Sequence, residues 1–260
     1  MIITKLQGGL GNQLFQWALG ESLSVQNDIP NYLDISFYDI NHPRITKRNF
    51  QLSQFPNIGD LKFNTKLPID ILTYTDNFYF QNFRVEKNKN YYFEGYWQSE
   101  KYFKDIKSLI LEKLSPTKKI ELFLKENYLE KGINVSLHIR RGDYVSQPEK
   151  HPVLPTEYYQ KALDKLGNYD TLLIFSDDIE WCKQTLTFKK MYFVDNLPEI
   201  ESLWLMSMCQ HNIIANSSFS WWGAWLNKNQ NKIVITPKIW FGEKLKLNTS
   251  DIIPLEWTQI

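Results

Sequence analysis

Cysteine is scarce. Cys182 and Cys209 are the two in a chain of 260 residues, and their separation fits neither a C-x-x-C pair nor a zinc spacing. That excludes a disulfide scaffold and leaves buried thiols in a reducing compartment as the plain reading. Histidine is nearly as rare. His42, His138, His151 and His211 form no H-x-x-x-H pair, so no dedicated metal cage is encoded. An excess of one charge is missing as well. Thirty Lys and Arg stand against 29 Asp and Glu, for a formal net charge of +1, which argues against a nucleic-acid partner. No apolar run approaches 18 residues, so no transmembrane span is expected. The opening Met1–Leu6 is too short an apolar stretch for a signal peptide. The chain reads as cytoplasmic, with peripheral contact at the inner membrane left open. Internal repeats and low-complexity tracts are also lacking.

Aromatic residues, in contrast, are plentiful, with 9 Trp, 14 Tyr and 16 Phe. Such rings pack cores, and they also line sugar sites. With 43% apolar and 23% charged residues the composition is globular, and the length suits two domains. Met1–Leu6 predicts a buried strand, Gly8–Gln13 a flexible turn and Leu14–Val25 a helix, the opening of an α/β unit. Residues 31–90 show little periodicity. Tyr91–Trp97 reads as a strand, and Ser99–Leu114 and Lys118–Lys131 as helices. From Ile133 onward strands and helices alternate. Strands are predicted at 133–139, 171–176, 191–194, 212–215 and 232–236, with helices at 155–166, 179–186, 199–208 and 220–226. Alternation of this kind predicts a parallel, doubly wound sheet. The domains are placed at 1–132 and 133–260.

Ligands of such sheets bind beyond the carboxyl ends of the strands. Three polar segments fall there. In His138-Ile139-Arg140-Arg141-Gly142-Asp143-Tyr144, two arginines leave a strand and meet a glycine. Arg offers a permanently charged planar fork suited to phosphate oxygens. In Ser176-Asp177-Asp178 the acids either hold a ribose or base edge or cap the next helix. In Asn216-Ser217-Ser218-Phe219-Ser220-Trp221-Trp222-Gly223-Ala224-Trp225, small hydroxyl residues precede a helix whose first amides favour an anion. Trp222 and Trp225 read as core. A fourth segment, Gly8-Gly9-Leu10-Gly11-Asn12-Gln13, is neither a P-loop nor G-x-G-x-x-G. It is a glycine turn with two amides, suited to a phosphate or a sugar hydroxyl, or a plain tight turn. Together these segments predict a phosphorylated ligand, either a nucleotide-sugar in an interdomain cleft or a plain nucleotide.

At these motifs the chain resembles the bacterial α-1,2-fucosyltransferases of glycosyltransferase family 11. The resemblance spans nearly the whole length. It rests on the motifs from Gly8 to Gln16, Tyr92 to Phe103, His138 to Tyr144, Phe175 to Asp178 and Asn216 to Leu226. The His-x-Arg-Arg segment is shared with α-1,6- and protein O-fucosyltransferases, and the Asn216–Trp225 block points to α-1,2. The resemblance implies a GT-B-like α/β architecture, with two Rossmann-type lobes facing a central cleft. It implies GDP-β-L-fucose as donor, a terminal β-galactose of an oligosaccharide or lipid-linked glycan as acceptor, inversion, and no metal or other cofactor. The donor-side residues then expected are Gly9, Gly11, Asn12, Gln13, His138, Arg140, Arg141, Asp177, Asp178, Asn216, Ser217, Ser218, Phe219 and Ser220. An acid facing guanine is expected just before the Leu203–Met206 stretch, and Glu201, separated from it by Ser202, takes that place.

A metal-free transfer must neutralise the departing diphosphate with fixed cations and dipoles. Arg140 is assigned to that charge, and Arg141 either assists it or supports the surrounding structure. The acceptor hydroxyl needs a proton acceptor, for which Asp143 and Glu94 are candidates, with Asp34 behind them. Tyr96 and Trp97, with Phe37 and Tyr38, are candidates to stack the acceptor sugar or to pack the core. Two alternatives stay in view: another GDP-fucose-dependent transferase, α-1,6 or O-linked, and a non-catalytic nucleotide- or glycan-binding module.

Overall fold

The computed structural model describes residues 1–39 and 47–260; His42 lies outside them. The chain divides into two compact units. One comprises Met1–Ser115 with Asn248–Pro254, the other Pro116–Leu247 with Leu255–Ile260.

The first unit is built on four parallel strands: β1 (Ile2–Lys5), β2 (Asn31–Asp34), β3 (Ile71–Thr75) and β4 (Asn90–Glu94), in the order β2-β1-β4-β3. Ile2, Ile3 and Thr4 are all buried, as expected of a strand covered on both faces. Helix α1 (Leu10–Asn27) begins inside the glycine turn, earlier than the predicted Leu14. Gly9 is its extended N-cap, so Gly11, Asn12 and Gln13 fall in the first helical turn instead of a loop. Leu10, Leu14, Phe15, Ala18 and Leu19 supply its buried face, and Asp28 ends it in the left-handed conformation, bonding back to Ser24 O. The predicted helix over 99–114 is broken. Ser99 caps a short 3₁₀ turn at Glu100–Tyr102, another follows at Lys104–Ile106, and only α2 (Lys107–Lys113) is α-helical. Phe103, at φ −141° and fully buried, interrupts the helix by turning into the core beside Phe15.

The second unit opens with α3 (Lys118–Tyr128) and carries six parallel strands: β5 (Asn134–Ile139), β6 (Thr171–Ser176), β7 (Met191–Phe193), β8 (His211–Ile213), β9 (Val234–Thr236) and β10 (Thr258–Gln259). Between them run α4 (Thr156–Leu166), α5 (Ile179–Thr185), α6 (Glu199–Met208) and α7 (Ser218–Trp225). The strand order is β10-β9-β8-β5-β6-β7. From β5 the chain winds outward to β6 and β7, then returns to β8 and winds the other way. This is the doubly wound plan, and its switch point lies between β5 and β8. The α/β, GT-B-like expectation of parallel Rossmann-type sheets is met in each unit.

The division at 115/116 falls before the expected 132/133, because α3 packs on α6 of the second sheet and buries Leu124. Strand β10 and the return of residues 248–254 to the first unit had no sequence signal. Cys182 and Cys209 are buried free thiols. Among the described residues no helix is long and apolar enough to cross a membrane.

Candidate active site

The switch point of the second sheet gathers the three polar segments that follow β5, β6 and β8. Arg140, the first residue after β5, is held by two carboxylates: Nη2 lies 2.5 Å from Asp143 Oδ1 and Nη1 lies 3.0 Å from Asp177 Oδ2. Its guanidinium sits 5.2 Å from the centre of the Tyr144 ring. Burial works against the Arg140 charge, but Asp177 and Asp143 outweigh it and raise the pKa, so the group is a permanent cation. Its Nε is buried with no partner among the described residues, a donor in reserve. Gly142 makes this arrangement possible, since a Cβ there would lie 2.2 Å from Asp177 Oδ2. Arg141 turns the other way. Its Nε donates to Asp178 Oδ2 at 3.1 Å and its guanidinium lies over the Trp181 ring, 3.8 Å from the centre, while its backbone N–H donates to Asp177 Oδ1. Asp178 also caps α5 by accepting from Trp181 N–H. Both acids of the Asp177-Asp178 pair are therefore bonded to the arginine segment, and the capping alternative holds for Asp178.

Across the switch point the Tyr144 hydroxyl donates to Asn216 O at 3.0 Å, joining the loops after β5 and β8. The Asn216 amide bonds the carbonyls of Pro152 and Trp240, and its Oδ1 is buried without a partner among the described residues. Ser217 is the N-cap of α7, and the first intrahelical bond runs from Trp221 N–H to Ser217 O. The amides of Ser218, Phe219 and Ser220 precede it, so none has a partner within the helix, and they form the positive end of its dipole. The Ser220 hydroxyl bonds back to Ser217 O and is buried, a structural use. Trp222 and Trp225 are core, as expected.

His138 is buried under this cluster, with Phe219 packed at 5.6 Å. Burial, helped by the Arg140 charge, pushes its pKa down to about 3. It is a neutral spacer at working pH. The unfolded chain binds a proton below about 6.5 that the folded chain refuses until about pH 3, so this group's stabilisation is full above 6.5 and is lost on acidification. The slope it adds approaches about 1.4 kcal/mol per pH unit inside that window. Urea titrations at pH 5 and 7 should show a smaller pH difference for His138→Gln than for the wild type. Equal differences would contradict this account of the burial. His151 lies against the same loop, its ring stacked 4.7 Å from Tyr144, and burial lowers its pKa.

The first unit holds the other expected residues. Gln13 is 0% exposed, donates to the carbonyls of Gly8 and Asn49 and accepts from Gln51 N–H. With both ends of its amide bound to backbone it is a structural clamp, which corrects its assignment to the donor. Gly11 is buried in the first turn of α1. Gly9 has open space where a Cβ would stand, and Asn12 accepts from Gln98 Nε2 at 2.8 Å. At the carboxyl ends of the adjacent strands β1 and β4, Glu94 pairs with Lys5 at 2.5 Å. Asp34 is buried, accepting from the Tyr92 hydroxyl and Ser36 N–H. Trp97 is 0% exposed within a cluster of Phe83, Phe93 and Tyr102. An enclosed ring offers no face to a sugar, so its acceptor assignment is corrected to core packing. Tyr96 is half-buried near Phe78, and Phe37 packs edge-on against Tyr38, whose hydroxyl donates to Gly8 O. Glu201 stands in the first turn of α6, where its charge acts on Tyr128 of α3.

Residues 1–260 match the model of Glycosyl transferase family 11. The chain belongs to this family. An α-1,2-colitosyltransferase of Escherichia coli is 35% identical, over 100% of this chain and 99% of its own. The O-antigen biosynthesis glycosyltransferase WbnK of the same organism is 31% identical, over 96% of this chain and 99% of its own. A galactoside 2-alpha-L-fucosyltransferase of Caenorhabditis elegans is 27% identical over 68% of this chain and 55% of its own. Among solved structures, NodZ from Bradyrhizobium, a fucosyltransferase, superposes with a TM-score of 0.53 at 12% identity, covering 85% of this chain and 91% of that one. That likeness shows the fold.

The switch point of the second sheet thus brings together a fixed cation, an anion-favouring helix start and adjacent carboxylates. Among the described residues no group of three or more His, Cys, Asp and Glu is placed to hold a metal ion. Sequence reasoning missed Tyr144, His151 and Trp181, which shape the arginine cluster. Tyr144 directly follows the Arg-Arg-Gly-Asp run, but nothing marked it as the bridge to Asn216.

Proposed function

We propose that this family 11 enzyme transfers L-fucose from GDP-β-L-fucose to O2 of a terminal β-galactose on an oligosaccharide or lipid-linked glycan, with inversion at C1 and without a metal ion. The observation that carries the reading is Arg140, a guanidinium fixed at the switch point beside the start of α7. In the proposed step the acceptor oxygen bonds to fucose C1 as the bond from C1 to the β-phosphate oxygen breaks. The diphosphate leaves with the bonding pair, and the acceptor proton passes to a carboxylate. Arg140 and the α7 amides, with the Ser218 hydroxyl, stabilise the growing phosphate charge. Asp143 takes the proton. It lies on the Arg140 turn with its Oδ1 on the guanidinium assigned to the diphosphate, which sets a carboxylate beside the reacting centre. The similarity to an α-1,2-colitosyltransferase and a galactoside 2-alpha-L-fucosyltransferase supports the 1,2 linkage.

Incubation with GDP-fucose and lactose, with EDTA present, tests the reading. Released GDP and 2′-fucosyllactose are expected. Binding of GDP-fucose without product would point to a non-catalytic module, and a different linkage to another transferase. Asp143→Asn should lower transfer by about 10²-fold or more while GDP still binds; transfer at the wild-type rate would remove Asp143 as base.

A second donor is favoured by the full-length similarity to the α-1,2-colitosyltransferase. Colitose is fucose without its 3-hydroxyl. A site that hydrogen-bonds that hydroxyl discriminates steeply between the two sugars, whereas an apolar one does not. Comparing kcat/KM for the GDP esters of fucose and colitose decides between them.

A further inference from the structure

The first unit contains an aromatic-walled depression of about 210 Å³, counting its open mouth, lined by Asp76, the 78–80 segment, Gln98, Ser99, Tyr102, Asp251 and Ile252. It stands beyond the carboxyl ends of β3 and β4, where parallel sheets place their ligands. We propose that this depression binds one neutral pyranose ring of the acceptor glycan, against Tyr79 and Phe80 with Gln98 as its polar contact. The assignment of that sugar as acceptor rests on the transfer reading above.

The walls are built by Asp76. Its Oδ1 accepts from Phe78 N–H at 2.9 Å, and its Oδ2 accepts from Tyr96 N–H at 3.1 Å and Trp97 N–H at 2.8 Å. One carboxylate thus pins two loops and holds two bulky residues in the left-handed region, Phe78 at φ 59° and Trp97 at φ 54°. Bulky residues persist there only when their surroundings enforce it, and such strain gathers at binding sites. The result is that Tyr79 and Phe80 are 58% and 38% exposed beside a concavity, with the Phe80 ring resting 5.0 Å from that of Tyr102 at the edge of the aromatic core. Asp251 fixes this wall from the other side, accepting from Phe80 N–H and pairing with Lys101.

The polar complement is Gln98. Its Nε2 is used by Asn12, while its Oε1 is buried with no partner among the described residues. A buried acceptor left open costs free energy until a donor arrives, and a sugar hydroxyl is such a donor. The balance of groups selects the ligand class. Two carboxylates against one lysine disfavour a phosphate, and apolar ring faces beside an open acceptor match the C–H face and hydroxyl rim of a neutral sugar. The volume suits one ring.

Ligand-observed NMR tests this, with lactose as probe and the protein saturated with GDP. The wild type should transfer saturation to the galactose ring protons. Tyr79→Ala and Phe80→Ala should each weaken lactose binding about tenfold with an unchanged Kd for GDP, and Tyr79→Ala, whose ring is 58% exposed, should leave the melting temperature unchanged. Equal lactose binding by both variants, or none by the wild type, overturns the proposal. The two readings fail separately. Lactose bound through Tyr79 and Phe80 but never fucosylated leaves the sugar site standing and removes the transfer reading. Fucosylation with a wild-type lactose KM in both variants does the reverse.

Discussion

Arg140→Ala is expected to abolish sugar transfer, lowering the rate by at least about 10²–10³-fold, while the protein stays folded. Removing one preorganised donor to a developing anion commonly costs that much, and here the donor also carries the charge. Arg140 is fixed before any substrate arrives by Asp143 at 2.5 Å and Asp177 at 3.0 Å, and so needs little reorganisation when negative charge grows on the leaving group. The fold tolerates the loss because both carboxylate side chains are partly exposed and water can hydrate them. Arg140→Lys keeps the charge but not the two-pronged geometry, and should recover only part of the activity. The check is product formation from GDP-fucose and lactose alongside the circular dichroism spectrum. Near-normal turnover by Arg140→Ala would remove the guanidinium from the mechanism.

Gly95→Ala is expected to produce the largest loss of stability among single substitutions near these sites. Gly95 sits at φ 155°, where side chains are rarely found, and an added Cβ would lie 2.1 Å from Asp76 Cβ and 3.0 Å from Asp76 N. The obstacle is backbone and the stem of a side chain, so no rotamer change relieves it. Asp76 is also the clamp for the 78 and 96–97 backbones. Conformational strain and overpacking together should cost about 3 kcal/mol, a fall in melting temperature on the order of 10 °C. Scanning calorimetry of the two proteins measures it. A change of less than about 2 °C would mean that the loop shifts without resistance.

Much of this architecture was legible because hydrophobic period and chain punctuation agreed. In the second unit β6 and α6 fall on their predicted bounds: Thr171–Ser176 is a continuous apolar run ending at acids, and Glu199–Met208 opens after a proline. The 99–114 span misled because its apolar spacing was helical while Phe103 was needed in the core off the helical path. In the candidate site, the position of Arg140 followed from its place at a strand's end. Its partners did not, since Asp177 comes from the neighbouring strand and only the β5–β6 pairing brings it near. The resemblance places Gln13 on the donor side and the sequence leaves Trp97 open between sugar stacking and core packing; both are buried, because a residue's type does not reveal which face of the backbone its side chain leaves. Asp76 carried no signal at all, being one aspartate after a short strand in an aperiodic stretch.

The account stands or falls on where the diphosphate binds, and a crystal structure of the protein with GDP measures that directly. The expected density puts the β-phosphate within about 2.7–3.1 Å of an Arg140 nitrogen and of amides at the Ser218 end of α7. GDP seated elsewhere, with Arg140 still bound to both Asp143 and Asp177, would contradict it.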